Sequence, residues 1–243
     1  MAWVRRYFGD LIGAHVDGLR AIAGLPWLFG LFIGWEFAQH VAEVRSGFFT
    51  SIEAAKAAQY DTWRSVLGWI KMIFVYAGGF FVIRWLVGQT GGRTTAPVGQ
   101  ALLRYAPYMA YSLILFALVF YAPHLVAADQ VMTLRAAVGL PQVFIEPLLV
   151  AWIVAAATDG SVSGPIRSAR RTGPLYFWAL ALFFVGRLPV NLAHQGLNKL
   201  ARGQDGAVLW SILALDAVVV GLIIAVIPAI YVRIARLIDE KRA

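Results

Sequence analysis

The chain has 243 residues, of which 60% are hydrophobic and 14% charged, with a mean hydropathy of +0.70; a soluble domain carries about 25% charged residues to cover its outside. Twenty-one Lys and Arg against 13 Asp and Glu give a net charge of +8. The basic residues stand at the ends of apolar runs rather than along one stripe, which implies anchoring in a bilayer and excludes nucleic acid as a partner. With no cysteine present, disulfides, thiolate nucleophiles and Cys-ligated zinc or iron–sulfur centres are excluded as well.

In residues 1–20, Val4, Phe8, Leu11, Ile12, Val16 and Leu19 recur at helical spacing, and Ile22 continues the series. Arg5, Arg6, Asp10, Asp17 and Arg20 fall largely elsewhere. This pattern predicts an amphipathic interfacial helix on the cytoplasmic surface. Asp10 and Asp17, with no small-residue cleavage site after the first apolar run, argue against a cleaved signal peptide. Apolar stretches near the ~20 residues needed to cross a bilayer follow at 21–41, 66–87, 107–126, 138–157, 175–192 and 207–232. Period-2 alternation is missing, so the expected fold is all-α. It is a polytopic transmembrane helical bundle of six spans as three hairpins over 21–236, with a charged cytoplasmic tail at 237–243.

The loop at 42–65 holds Thr50 and, three residues on, Glu53, the capping-box spacing that predicts a short outer helix through Ile52, Ala55 and Ala58. Residues 159–164 read as a loop, and Pro165 suits the first position of a short basic helix with Arg167, Arg170 and Arg171, closed by Gly173 and Pro174. Gly30 and Gly34 form a GxxxG pair, and Ala217, Gly221, Ala225 and Ala229 form a stripe of small residues. Such faces pair helices, by default within one chain, or else with a protein partner or second copy. Trp27, Trp63, Trp69, Trp85, Tyr105, Tyr108, Trp178 and Trp210 fall near span ends, where aromatic rings sit at head-group level.

Lys and Arg counted in alternate loops are more numerous on the side of Arg5, Arg93, Arg167 and Arg236 than on the side of Arg45, Lys56, Arg135 and Arg202. Both termini are therefore expected in the cytoplasm of a bacterial inner membrane, with basic residues there available to anionic lipid head groups.

Ionisable groups inside a span are expensive and therefore informative. Glu36, Glu146, Arg187 and Asp216 stand out. Arg187 lies ~18 Å from the cytoplasmic start of its span, Glu146 ~12 Å and Asp216 ~14 Å from the outer starts of theirs. Those depths nearly coincide, which predicts an ion pair between Arg187 and Glu146 or Asp216. Glu36, His40 and Glu43 at i, i+4 and i+7 share one helical face. His124, Asp129, Asn191 and His194 are expected at the same outer level. Glu36, His40, Glu43, Glu146, Arg187, Asp216, His124 and His194 are thus the candidates for binding a ligand or protons. The commoner role of such a cluster is a hydrogen-bonded network that fixes helix register. Glu36, His40 and Glu43 could also hold a metal, without HExxH or ExxH spacing to strengthen that reading. Phosphate-loop, GxGxxG and GxSxG patterns are missing, so no catalytic residue is nominated and no cofactor is named.

Trp35, Glu36, Phe37, Ala38, Gln39 and His40, followed by Glu43, Val44, Arg45, Ser46 and Gly47, resemble an uncharacterised family of six-helix proteobacterial inner-membrane proteins. That likeness extends through Arg84 and residues 191–198. Residues 166–173, with Arg167 and Arg170, look like the basic connector in the membrane domain of glycerophosphodiester phosphodiesterases. The catalytic domain of those enzymes has no counterpart here, so the likeness implies no activity. The expected function is a non-enzymatic accessory, scaffold or lipid-contacting subunit. A small carrier or proton-coupled transporter with its charges lining an outward-facing cavity is the alternative, and a metal-dependent intramembrane enzyme is the second alternative.

Overall fold

In the computed structural model, which describes residues 2–241, every regular element is helical. Helix α1 (Ala2–Gly24) meets α2 (Pro26–Arg45) at 97° across Leu25. The cause is local: Pro26, at the start of α2, lacks an N–H and disfavours the helical conformation at the residue before it. Leu25 accordingly sits at φ −128°, ψ 50°. The helix expected over 1–20 is therefore real and runs to Gly24. The helix that covers the apolar stretch 21–41 begins at Pro26 rather than at residue 21.

Beyond α2, Gly47 turns the chain at a φ of 74°, a left-handed conformation that costs glycine nothing. Then come α3 (Ile52–Ala57), α4 (Thr62–Gln89), α5 (Val98–Phe120), the single turn α6 (Ala122–Leu125) and α7 (Val131–Ala157). Next are α8 (Pro165–Thr172), α9 (Tyr176–Ala201) and α10 (Gly206–Glu240). Two expectations shift. Ser51, not Thr50, caps α3, accepting from the Ala54 N–H at 3.1 Å, while the Thr50 hydroxyl donates to the Gly47 carbonyl. The crossing expected at 107–126 is the helix Val98–Phe120, broken where Pro123 starts α6. Helix α8 starts at Pro165 as its sequence implies. Helix α10 continues through the expected tail to Glu240; Arg242, counted with the basic residues of that end, lies outside the described residues.

Among the described residues five helices, α4, α5, α7, α9 and α10, are long and apolar enough to cross a membrane, and the bent pair α1–α2 makes six if it forms one span. Helix α2 falls short alone because Glu36, Gln39, His40 and Glu43 occupy its second half. The all-α bundle is the expected one, and its apolar helices fit an integral membrane protein.

Helix α10 is the hub, packing on α1, α2, α4, α7 and α9. Its stripe Ala217, Gly221, Ala225 and Ala229 is buried within the chain, with Gly221 against Ile33 of α2. Gly30 and Gly34 instead face open space on the outside of α2. Helix α1 lies across the end that carries both Ala2 and Lys241, here called the near end. Its buried Ala14, Asp17 and Ala21 face inward and Trp3, Phe8, Ile12 and Leu19 are exposed. Arg233 of α10 pins it, 2.7 Å from Asp17 and 3.7 Å from Asp10. Leu11 and Ile22, members of the same apolar series in the sequence, pack on the core. The near-end loops are tied by Arg84, which donates to the carbonyls of Ala157, Thr94 and Ala96, each at 2.9 Å. At the opposite, far end, the Gly203 N–H donates to the Phe49 carbonyl.

Candidate functional site

The face shared by Glu36, His40 and Glu43 on α2 turns into the bundle, and all three are at most 3% exposed. Three other helices supply partners at this level. From α4, Lys71 donates to Glu36 at 3.1 Å and Arg64 to Glu43 at 3.0 Å. From α10, Asp216, wholly buried, places Oδ2 3.1 Å from His40 Nε2. From α9, His194 Nδ1 lies 2.8 Å from Asp216 Oδ1, and Asn198 donates to Asp216 Oδ2 at 2.9 Å. Gln39 donates to Glu43 Oε1 at 3.1 Å. Helical spacing thus delivers three groups on one element, and α4, α9 and α10 close around them.

His40 is the centre. Its Nδ1 lies 2.9 Å from Glu43 Oε2. Its Nε2 faces two carboxylates, Asp216 at 3.1 Å and Glu36 at 3.8 Å, and is aligned for a hydrogen bond with neither. Three carboxylates meet the cations Lys71 and Arg64, so one negative charge remains when His40 and His194 are both neutral. One atom each of Glu36, His40 and Asp216 falls within a 4.8 Å cluster.

The ion pair expected for Arg187 does not form. Among the described residues no carboxylate comes within salt-bridge distance of it, and its guanidinium stacks over Phe183, 4.2 Å from the ring centroid. The depths expected to coincide do not: Asp216 meets His194, ~10 Å further along the same face of α9 than Arg187, whereas Arg187 lies level with Glu146 and Tyr231. Glu146 has partners of its own: it accepts hydrogen bonds from Tyr108 at 3.2 Å, from Gln142 at 3.0 Å and from Tyr231. Tyr105 and Tyr108 are therefore interior residues rather than head-group anchors. Trp178 too is buried, packed edge-on against Trp3 and Tyr7 of α1. A cavity of ≈ 240 Å³ among α4, α5, α7, α9 and α10 is lined by Tyr76, Tyr105, Tyr108, Glu146, Arg187 and Tyr231.

Of the remaining candidates, His194 joins the network and His124 does not. His124 is exposed on α6, its ring 4.5 Å from that of Tyr60; Asp129 is exposed as well and Asn191 half-buried. Sequence reasoning missed Lys71 and Arg64 as network members. A signal existed for one of them: Lys71 lies within the predicted crossing 66–87, where an ionisable group calls for a partner. The tyrosines around Glu146 carried no such mark.

At the near end, Asp159 accepts from the Thr95 hydroxyl at 2.7 Å and from the Thr95 and Ala96 N–H groups, with Arg104 at 3.6 Å. The Thr95 hydroxyl above all, then those backbone donors, holds its carboxyl below the ordinary value. Beside it, Arg93, Arg171 and Arg236 border a cavity of ≈ 410 Å³. No family model matches the chain, and no curated protein or solved structure shows a significant match to it.

Proposed function

We propose that the protein is a multi-pass inner-membrane protein with cytoplasmic termini that acts as a non-enzymatic accessory or scaffold subunit in contact with lipid. The observation that carries this reading is the closure of the charge network. Glu36, His40, Glu43 and Asp216 are buried, and the space beside Glu36 and Lys71 has no room for a water. A transport route through charges needs water around them, whereas a register-fixing network packs dry. Two surfaces suit partners. Gly30, Gly34 and Ala38 line an exposed face of α2 on which a second helix could pack closely. The near-end cavity, bordered by Arg93, Arg171 and Arg236 against Asp159 and Asp239, keeps a net positive lining that suits an anionic head group.

A photo-crosslinking side chain at Gly34, activated in native membranes, tests the scaffold reading. A discrete protein adduct, either a dimer or a heterologous complex, is expected, together with its loss in Gly30→Ile. Adducts to lipid alone count against it. The carrier reading is favoured by the cavity that holds Glu146 and Arg187. It requires proton movement in proteoliposomes that Glu146→Gln abolishes; the scaffold reading expects no such movement.

A further inference from the structure

We infer that Glu36, His40 and Asp216 form a closed site for a divalent first-row metal cation, which goes beyond a scaffold role. The separations have the right size. His40 Nε2 stands 3.1 Å from Asp216 and 3.8 Å from Glu36, bracketing the ~3.3 Å edge of a tetrahedron whose metal–ligand bonds are ~2.0–2.1 Å. The three ligand atoms lie within 4.8 Å of one another and all three residues are buried.

The imidazole supplies an independent pointer. With Nδ1–H donating to Glu43 Oε2 at 2.9 Å, Nε2 keeps its lone pair. That nitrogen is buried, has no hydrogen bond, and faces two anionic oxygens. A lone pair aimed at two carboxylates is repulsive until a cation stands between them. The outer contacts are those that steady metal ligands elsewhere: a carboxylate on the distal imidazole nitrogen, and donors holding the ligating carboxylates. Glu43 plays the first part; His194 and Asn198 hold Asp216, and Lys71 holds Glu36. One imidazole nitrogen and two carboxylates suit Zn²⁺, Mn²⁺ or Fe²⁺ rather than a soft ion. The excess negative charge left by Glu36, Glu43 and Asp216 over Lys71 and Arg64 draws a cation in. With all three ligands buried, the site loads as the bundle folds.

The alternative that meets the same negative charge is a proton on His40 or on His194, and metal analysis separates metal from proton. The protein is purified in mild detergent through a tag without histidine, exposed to Zn²⁺ or Mn²⁺, desalted and analysed for metal. The expected content is about one ion per chain, falling to background in His40→Ala and in Asp216→Asn. Substitution by Co²⁺ should give ligand-field absorption bands in the unaltered protein, a readout that survives if those variants fail to fold. Wild-type protein that is monodisperse and helical, yet holds under about a tenth of an ion per chain and shows no cobalt bands, would overturn the proposal in favour of the proton. Metal retained equally by a folded His40→Ala would overturn it too.

Discussion

Removing one member of a buried ion pair costs more than the pair contributes, because its partners stay behind without a counter-charge. Asp216 holds His40, His194 and Asn198 with no exposure to solvent, so Asp216→Ala should destabilise the bundle by about 3–5 kcal/mol. Arg187 makes a ring contact and no ion pair, so Arg187→Leu should cost about 1 kcal/mol or less. Thermal melting of both variants in the same detergent checks the contrast; equal losses would restore Arg187 to the network. Asp159 permits a pH prediction with a definite sign. A carboxyl held below its ordinary value of 3.8 stabilises the fold above that value, and the contribution disappears as pH falls through the lowered one. Hydrogen exchange in the loop at 90–97 should therefore be faster in Asp159→Asn than in wild type at neutral pH. The two should converge well below pH 3.8. At this scale the sequence was half legible. The buried charges announced themselves because polarity in a span is rare, and the face of Glu36, His40 and Glu43 followed from helical geometry. Their partners from α4, α9 and α10 did not, since spacing along one helix says nothing about the rotation of its neighbour.

The first two helices show how an element is set by both local chemistry and packing. Pro26 breaks the helix, and the Arg233 contacts to Asp17 and Asp10 hold α1 across the near end. Helix α1 should therefore lie in the plane of the interface with Phe8, Ile12 and Leu19 facing acyl chains. Spin labels at positions 8, 12 and 19 should report one common depth by power saturation. A steady gradient of ~16 Å from position 8 to 19 would mean that α1 runs along the bilayer normal. The amphipathic spacing made this helix readable in advance. Helix α5 begins after Pro97 and not at 107, because a membrane helix tolerates a proline such as Pro107 in its interior. The α3 cap moved by one residue because Ser51, extended at φ −155°, occupies the boundary.

Across the whole molecule, α10 converts separate hairpins into one body. Its 35 residues extend ~52 Å, well past a ~30 Å hydrocarbon core. One half therefore meets the charge network through Asp216, and the other clasps α1 through Arg233 and α4 through Arg236. Gly221 along it lets α2 approach through Ile33, and Gly78 and Gly79 of α4 admit Ile224 and Pro228 of α10, while Gly30 and Gly34 remain outside. By itself the sequence determined the solvent of this chain, its helical class and the approximate number and order of its long apolar helices. Those properties are sums over many residues and survive errors at any one of them. Only the tertiary structure decided which charges meet, turning Asp216 toward His40 and leaving Arg187 on Phe183. A pairing depends on how far each helix is slid along its axis as well as on its rotation about that axis, and both are set by the packing of neighbours far apart in the chain.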